Sequence, residues 1–437
     1  MKHIYADYAY GNGPRDGCWW DETCDLPDFP KLETDIACDV AIVGGGFTGL
    51  SAALHLAQAG VDVVVVEAEY VGWGASGRNG GFCCLGGARI DDAGLDRRFG
   101  RVGRLQYRKA ERDAIALVEQ ITQAHGIDVD RHSQGETELA HRPKDMDALR
   151  RAADAVAENH GVDCQIIARE DLPAHGLSGP FHGALTIPIG FGLNPRKYIA
   201  GLAAAARDAG ARIFGKSPVQ SLNKGQKWTL VAGRKITADQ VVIATNGYSS
   251  DDLPDWLAGR YMPSQSNVIV TRSLTEQEQA DAGWTSDQAC YDTRNLLHYF
   301  RKMPDGRFLF GMRGGLTSNP AAEARARRRV RQDFDAMFPA WRHVEHAHGW
   351  SGMVCIARDM LPFVGAVPNQ PGLFASLCYH GNGVAMGTYA GKLIAGKITG
   401  QAEVPVAMAQ PLSRFPLGPY RRAVMPAAYA GFMLADL

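Results

Sequence analysis

Val40-Ala41-Ile42-Val43-Gly44-Gly45-Gly46-Phe47-Thr48-Gly49-Leu50 decides the fold of this chain, together with the largely apolar run Val61 to Val66 that Glu67 closes. Gly44, Gly46 and Gly49 match G-x-G-x-x-G, directly after an apolar strand and opening an Ala- and Leu-rich helical stretch, Leu50 to Ala59. Gly44 permits the tight strand-to-helix turn, Gly46 lets backbone approach a pyrophosphate, and Gly49 lets helix and strand pack closely. The helix N-terminus then faces the anion. Glu67 stands roughly 20 residues downstream at the end of the second strand, where a carboxylate accepts hydrogen bonds from ribose hydroxyls. The stretch predicts a dinucleotide bound near the N-terminus.

With 437 residues the chain has room for about two or three domains. Its 46% hydrophobic and 21% charged residues place it among globular rather than disordered proteins. A net charge of -1 leaves no electrostatic footprint for nucleic acid, which is not expected as a partner. Val40 to Val61 lacks Asp, Glu, Lys and Arg over a length near the ~20 residues of a membrane span, but its glycines and strand-turn-helix pattern assign it to a folded domain. The first residues, among them Lys2, Asp7, Asn12 and Arg15, carry no signal-peptide core, so a cytoplasmic location is expected and membrane contact is not. Nine irregularly spaced cysteines do not suggest a secreted disulfide framework. The vicinal pair Cys83-Cys84 reads as a small-residue turn near the cofactor.

The expected organisation is an N-terminal arm (1–34), a dinucleotide-binding domain assembled from 35–95, 195–255 and 348–400, a substrate domain from 96–194 and 256–347, and a tail (401–437). Helical periodicity covers 105–125, with Ala114, Leu117, Val118 and Ile121 on one face. Thr137 to Ala140 reads as a short strand and Met146 to Asn159 as a helix. Tyr198 to Ala209 reads as a helix, Trp228 to Ile236 as a hairpin, and Gln240 to Ile243 as a buried strand ending in a polar turn. Val268 to Thr271, Leu296 to Arg301 and Arg307 to Phe310 suggest an antiparallel sheet, interrupted by a helix from Ala321 to Met337. A second strand-turn-helix, Leu373 to Lys397, lacks the third spaced glycine, which implies one dinucleotide and no separate nicotinamide domain.

The pairing of Gly44–Gly49 with Gly74-Ala75-Ser76-Gly77-Arg78-Asn79-Gly80-Gly81 resembles the D-amino-acid oxidase and glycine oxidase superfamily of flavoproteins, and within it the γ-glutamylputrescine oxidase branch. The similarity runs on through Trp350-Ser351-Gly352, Arg358, Pro362 to Gly365, Gly381 to Val384, Ala390-Gly391-Lys392 and the tail from Phe415. It implies FAD, an α/β (α+β) fold with a Rossmann-like FAD-binding domain and a discontinuous antiparallel-sheet substrate domain, and hydride transfer from the carbon beside an amine nitrogen to flavin N5. By this resemblance Gly44, Gly46, Phe47, Thr48, Gly49, Glu67 and Ala68 hold the ADP portion. Gly74, Ala75, Ser76, Arg78, Asn79 and Gly80 form the loop beneath pyrophosphate, ribityl chain and ring, and Val219 contacts adenine. Gly352 with Gly381, Asn382, Gly383 and Val384 faces the pyrimidine side of the flavin, where a helix dipole stabilises negative charge by roughly 0.3–1 kcal/mol. Two departures stand out. The branch tends to place Ser and His around the glycine of the last turn, where this chain has His380 and Asn382. Sarcosine oxidase relatives carry flavin on a cysteine near this region, but Cys355 sits a few residues away, so noncovalent FAD is expected.

Amine oxidation by flavin asks the protein chiefly to position a C–H bond and keep the amine neutral. His380, beside the flavin turn, is a candidate for polarising the site, and Arg313 for holding a carboxylate or lying near N5. Tyr299 is a third candidate, with Tyr291 and Arg294 in neighbouring segments favoured as structural. His343, Glu345, His346 and His348 do not converge in a strand, so no metal is expected. Gly74-Ala75-Ser76-Gly77 continues with Arg78 where a nucleophile elbow has glycine, which excludes that hydrolase motif. The tail Pro426 to Leu437 reads as a short helix packing through Tyr429, Phe432 and Met433. The expected activity is oxidation of a small-molecule amine with O2 as acceptor. The alternatives are a dehydrogenase passing electrons to quinone or a partner protein, and a flavin-binding subunit without turnover.

Overall fold

The strand β2 (Val63–Val66) is four valines, all fully buried, the pattern of a strand covered on both faces. The computed structural model, which describes residues 1–436, places it between β1 (Ile36–Val43) and β8 (Arg212–Phe214). Beyond β1 follow β11 (Arg234–Ile243), β18 (Leu373–Leu377) and β17 (Phe363–Ala366). Every neighbour along this path is parallel except β17 on β18. The hairpin strands β9 (Ser221–Lys224) and β10 (Trp228–Ala232) extend antiparallel from β11. The expected hairpin around Gly233 is present, and its second arm runs on without a break into the buried strand to make one ten-residue strand, whose first half pairs with β10.

The second sheet runs β16 (His348–Ile356), β12 (Met262–Val270), β15 (Phe308–Arg313), β14 (His298–Lys302), β13 (Ala289–Asp292), β4 (Glu136–Leu139), β6 (Gly183–Ile187), β5 (Gln165–Ala168). It is antiparallel except where β13 lies parallel to β4. The strand at 348–356, grouped by sequence with the FAD-binding segments, hydrogen-bonds along nine residues of β12 and so belongs to this sheet. Side chains alternate between faces. One face carries Phe300, Phe308 and Phe310, packed with Phe334 of the helix Pro320–Met337 and with Trp284, Phe338 and Trp341. The other carries Tyr299, Arg313 and Ser266 toward the first sheet. A small pair, β3 (Phe82–Cys84) and β7 (Gly190–Gly192), bridges the two. Cys83 and Cys84 therefore occupy an extended strand rather than the expected turn, and both thiols are free.

Helices Phe47–Gln58 and Ala385–Thr399 cover the first sheet side by side. Gly391 makes the approach possible: a Cβ there would overlap the Thr48 carbonyl and lie 2.7 Å from the Ala52 nitrogen. The Ser51 hydroxyl donates to the Thr388 carbonyl across the seam (2.6 Å). The helix expected from residue 105 begins at Asp92, where the Asp91 carboxylate caps Gly94 N–H at 2.8 Å, and kinks at Gly100. The tail helix, Met425–Ala435, places Tyr429 on Ser264 (2.7 Å) but leaves Phe432 and Met433 exposed, so only one of its three expected packing residues packs. Leu437 lies outside the described residues. Gly391→Ala should push the two helices apart, cost about 1–3 kcal/mol and lower the flavin content of the purified protein. Urea unfolding and the flavin-to-protein absorbance ratio measure both effects.

Candidate active site

β1 ends at a turn in which Gly44 has φ +112°, and a Cβ on Gly49 would overlap the Gly44 carbonyl. The glycines thus perform the turn and close-packing jobs their spacing implied. From this turn a cavity of about 560 Å³ extends to the inner face of the second sheet. At its first end stand Gly44, Gly46, Phe47 and Thr48 at the helix start, with Glu67, Ala68 and Val219 opposite. The Glu67 carboxylate accepts from Gly45 N–H (2.7 Å) and Glu69 N–H (3.2 Å), which anchors it against the turn. Ser76 Oγ accepts from Phe47 N–H at 3.0 Å, tying the second loop to the helix N-terminus. Gly49 lies behind this wall and does not line the cavity.

The loop from Gly74 to Gly80 forms the middle, with Ala75, Ser76, Arg78 and Asn79 all on the wall. Asn79 braces it internally: its amide donates to the carbonyls of Ala75 (3.1 Å) and Ser76 (2.9 Å), and its oxygen accepts from Gly81 N–H (2.8 Å). The N-terminal arm clamps the loop from outside, as Trp20 Nε1 donates to the Asn79 carbonyl at 2.8 Å. Arg78 is 2% exposed and has no carboxylate partner. Its guanidinium donates to the carbonyls of Trp73 and Ser351 and lies 4.5 Å from the Trp73 ring centre. Burial lowers its pKa from the usual arginine value. A desolvated cation without an anion is a group that a negatively charged ligand can satisfy.

At the far end Gly352, Gly381, Asn382, Gly383 and Val384 line the wall, the last four leading into the helix Ala385–Thr399. Asn382 is held by donating to the Leu85 carbonyl (2.6 Å). Tyr299 and Arg313 project from the sheet into the same space. The Tyr299 hydroxyl pairs with Ser266 Oγ at 2.8 Å, and Arg313 donates to the His380 carbonyl at 3.0 Å. Burial, aided by Arg89, brings Arg313 down to about 9, which leaves it cationic at neutral pH.

His380 departs from expectation. Its ring is 3% exposed and does not line the cavity: Nδ1 pairs with the Gly87 carbonyl (2.8 Å), and Nε2 accepts from Ala357 N–H (3.1 Å). These backbone partners fix the neutral tautomer, and burial lowers the pKa to about 4. The ring is tied to backbone on both sides, and the His380 carbonyl accepts from Arg313. Cys355 reaches the wall, but its sulfur lies 3.5 Å from Cys378 Sγ. Arg294 pairs with Asp292 away from the cavity, whereas Tyr291 lines it. The residues His343 and His348 take separate partners, Glu278 and Glu22, and His346 lies beside Arg331. Among the described residues no group of three or more His, Cys, Asp or Glu can hold a metal. Sequence reading missed Arg89, Glu136 and Ser266, which also line the cavity. The alternation in Glu136-Thr137-Glu138-Leu139 was the available signal for one of them.

A helix N-terminus, a ribose-height carboxylate and an unpaired buried cation on one elongated cavity fit FAD. Residues 39–397 match the model of the FAD dependent oxidoreductase family, and the chain belongs to that family of flavoproteins. It is 30% identical to the probable oxidoreductase OrdL of Rhizobium meliloti (strain 1021), over 96% of this chain and 97% of that protein. It is also 30% identical to the γ-glutamylputrescine oxidoreductase of Escherichia coli (strain K12), over 86% of this chain and 87% of that one. In fold it resembles the crystal structure of glycine oxidase from Geobacillus kaustophilus, with TM-score 0.71, 22% identity, and coverage of 86% of this chain and all of that one. No helix among the described residues is long and apolar enough to cross a membrane.

His380→Ala leaves the Ala357 N–H and Gly87 carbonyl without partners, at about 1–3 kcal/mol for each buried group. The neutral ring's contribution is complete above the ordinary value of 6.5 and drains as pH falls toward about 4, because the unfolded chain takes up the proton first. Urea unfolding should show the variant less stable at neutral pH and less sensitive to acidification between those two values.

Proposed function

We propose that the protein oxidises the C–N bond of a small amine, with FAD as the resident cofactor and molecular oxygen as electron acceptor. The product imine hydrolyses to an aldehyde or keto compound, and hydrogen peroxide is released. The observation that carries this reading is a single cavity joining an FAD-shaped cradle, built from both ends of the chain, to a sheet face that presents Arg313. The similarity to γ-glutamylputrescine oxidoreductase supports an amine as substrate. When bound, FAD supplies the hydride acceptor at N5.

The protein's own part is placement. Arg313 has no carboxylate partner in the fold and is available to a carboxylate on the substrate. Tyr299, braced by Ser266 and edge-on to Phe82, walls the space beside Gly80. Its burial raises the phenol's pKa, so it stays a neutral donor at working pH. Deprotonation of the incoming amine needs no strong general base, since holding it in a desolvated space with Arg313 near disfavours the ammonium form. With FAD bound, Arg78 and the N-terminus of the helix Ala385–Thr399 would supply positive potential that stabilises the negative charge of the reduced cofactor. The one cysteine on the wall, Cys355, faces Cys378 rather than standing free, which supports FAD held without a covalent bond.

Anaerobic mixing of the holoenzyme with polyamines, N-methyl amino acids and D-amino acids should bleach the long-wavelength flavin band with at least one member. A panel that leaves the band intact sinks the reading. Admitting air should restore the band within seconds, whereas recovery over minutes would rule out oxygen as the physiological acceptor. Acid precipitation should leave the yellow colour in the supernatant. Arg313→Gln should weaken carboxylated amines by about tenfold or more relative to simple amines, as expected for losing a buried charge partner worth about 2–5 kcal/mol.

A further inference from the structure

The sheet face that walls the cavity carries a feature that amine positioning at Arg313 does not use. β4 pairs with β13 in the register Glu136↔Ala289 and Glu138↔Tyr291, and β13 continues the face through Tyr291↔Tyr299. Alternation along β4 turns Thr137 and Leu139 to the other face, where Leu139 joins the aromatic core. Glu136 and Glu138 therefore share the face of Tyr299 and Arg313. Glu136 is 6% exposed and lines the cavity, yet it forms no ion pair among the described residues, and the Cys84 thiol lies within hydrogen-bonding reach. Arg89, exposed on the cavity wall, acts on both carboxyls through its charge but is bonded to neither. Glu138 adjoins the Tyr291 phenol.

A buried carboxyl without a counter-charge is a liability in the empty protein, unless a ligand brings the charge with it. Burial lifts Glu136 to about 8, and an arriving cation favours loss of its proton. Glu136 stands two strands from Tyr299, which is roughly 10 Å across the sheet at ~4.8 Å per strand. The two groups are thus separated along one face, Arg313 on β15 and Glu136 on β4 three strands away.

We infer that Glu136, supported by Glu138, is a cation-binding subsite of the substrate cavity, and that the substrate is an amine bearing a second, distal ammonium group several carbons from the oxidised C–N bond. This rests on the amine-oxidation reading. The subsite selects by charge at the far end of the chain, while chemistry takes place at the near end.

Two isosteric pairs test it: ornithine against norleucine, both racemic, and cadaverine against n-hexylamine. In each the first member carries an ammonium where the second carries a methyl group. Flavin reduction is followed anaerobically by stopped flow, and the ratio of reduction rate constant to Kd is compared within each pair. The wild-type holoenzyme should favour a dicationic member by about tenfold or more, and Glu136→Gln should bring that preference close to unity. Glu138→Gln should reduce it partially. Equal efficiencies within both pairs for the wild-type protein overturn the subsite, even if Glu136→Gln fails to hold flavin. A preference that persists undiminished in Glu136→Gln also overturns it. If no amine in this set or the broader panel reduces the flavin, the amine-oxidation reading itself falls, and the inference falls with it.

Discussion

The seam between helix Phe47–Gln58 and helix Ala385–Thr399 is the contact on which the site depends. Each helix begins at a glycine turn on the cavity wall, so the distance between the two turns is set by how closely the helices lie. Gly391 permits that distance, and two hydroxyl links hold it: Ser51 to the Thr388 carbonyl, and Thr48 to Tyr379 (2.8 Å). Interiors are packed too densely for such a seam to slide by small amounts. A cofactor with a phosphate end and a ring end therefore meets a rigid gauge built from opposite ends of the chain.

The second constraint is electrostatic. Arg78, Arg313 and Glu136 are placed in or beside the cavity without opposite charges from the protein. In a desolvated space each such group is expensive for the empty fold and correspondingly strong toward a ligand that completes it. Arg421 and Asp292 are buried too, but their charges are completed internally: Arg421 pairs with Asp251 (2.7 Å), and Asp292 with His298 (2.8 Å). His380, satisfied on both ring nitrogens by backbone, is likewise completed within the fold.

Much of the cradle was legible in the sequence because its parts are local. The turn at Gly44–Gly49, the loop from Gly74 to Gly80 and the turn from Gly381 to Val384 each carry their geometry in a few adjacent residues, and nearly all of them line the cavity. Elements with clear periodicity were legible for the same reason, as with Pro195–Asp208 and Pro320–Met337. Side-chain direction was not. His380 sits beside the flavin turn in sequence but has φ +51° and points its ring toward Gly87, away from the cavity. Glu136 lay just outside the strand expected from Thr137, and its approach to the cavity depends on β4 pairing with β13.

The sequence by itself determined that this chain binds one dinucleotide in a Rossmann-like sheet, because strand, turn, helix and acidic residue lie within a short contiguous stretch and their spacing is their geometry. Its resemblance to amine-oxidising flavoproteins narrowed that dinucleotide to FAD, and the family match established it. Only the tertiary structure decided which charged residues share the cavity. Arg313, Tyr299 and Glu136 come from three strands of one sheet, and their common face follows from register between segments far apart in the chain. A shift of one residue in any pairing would turn those side chains into the core, and no local pattern records that choice.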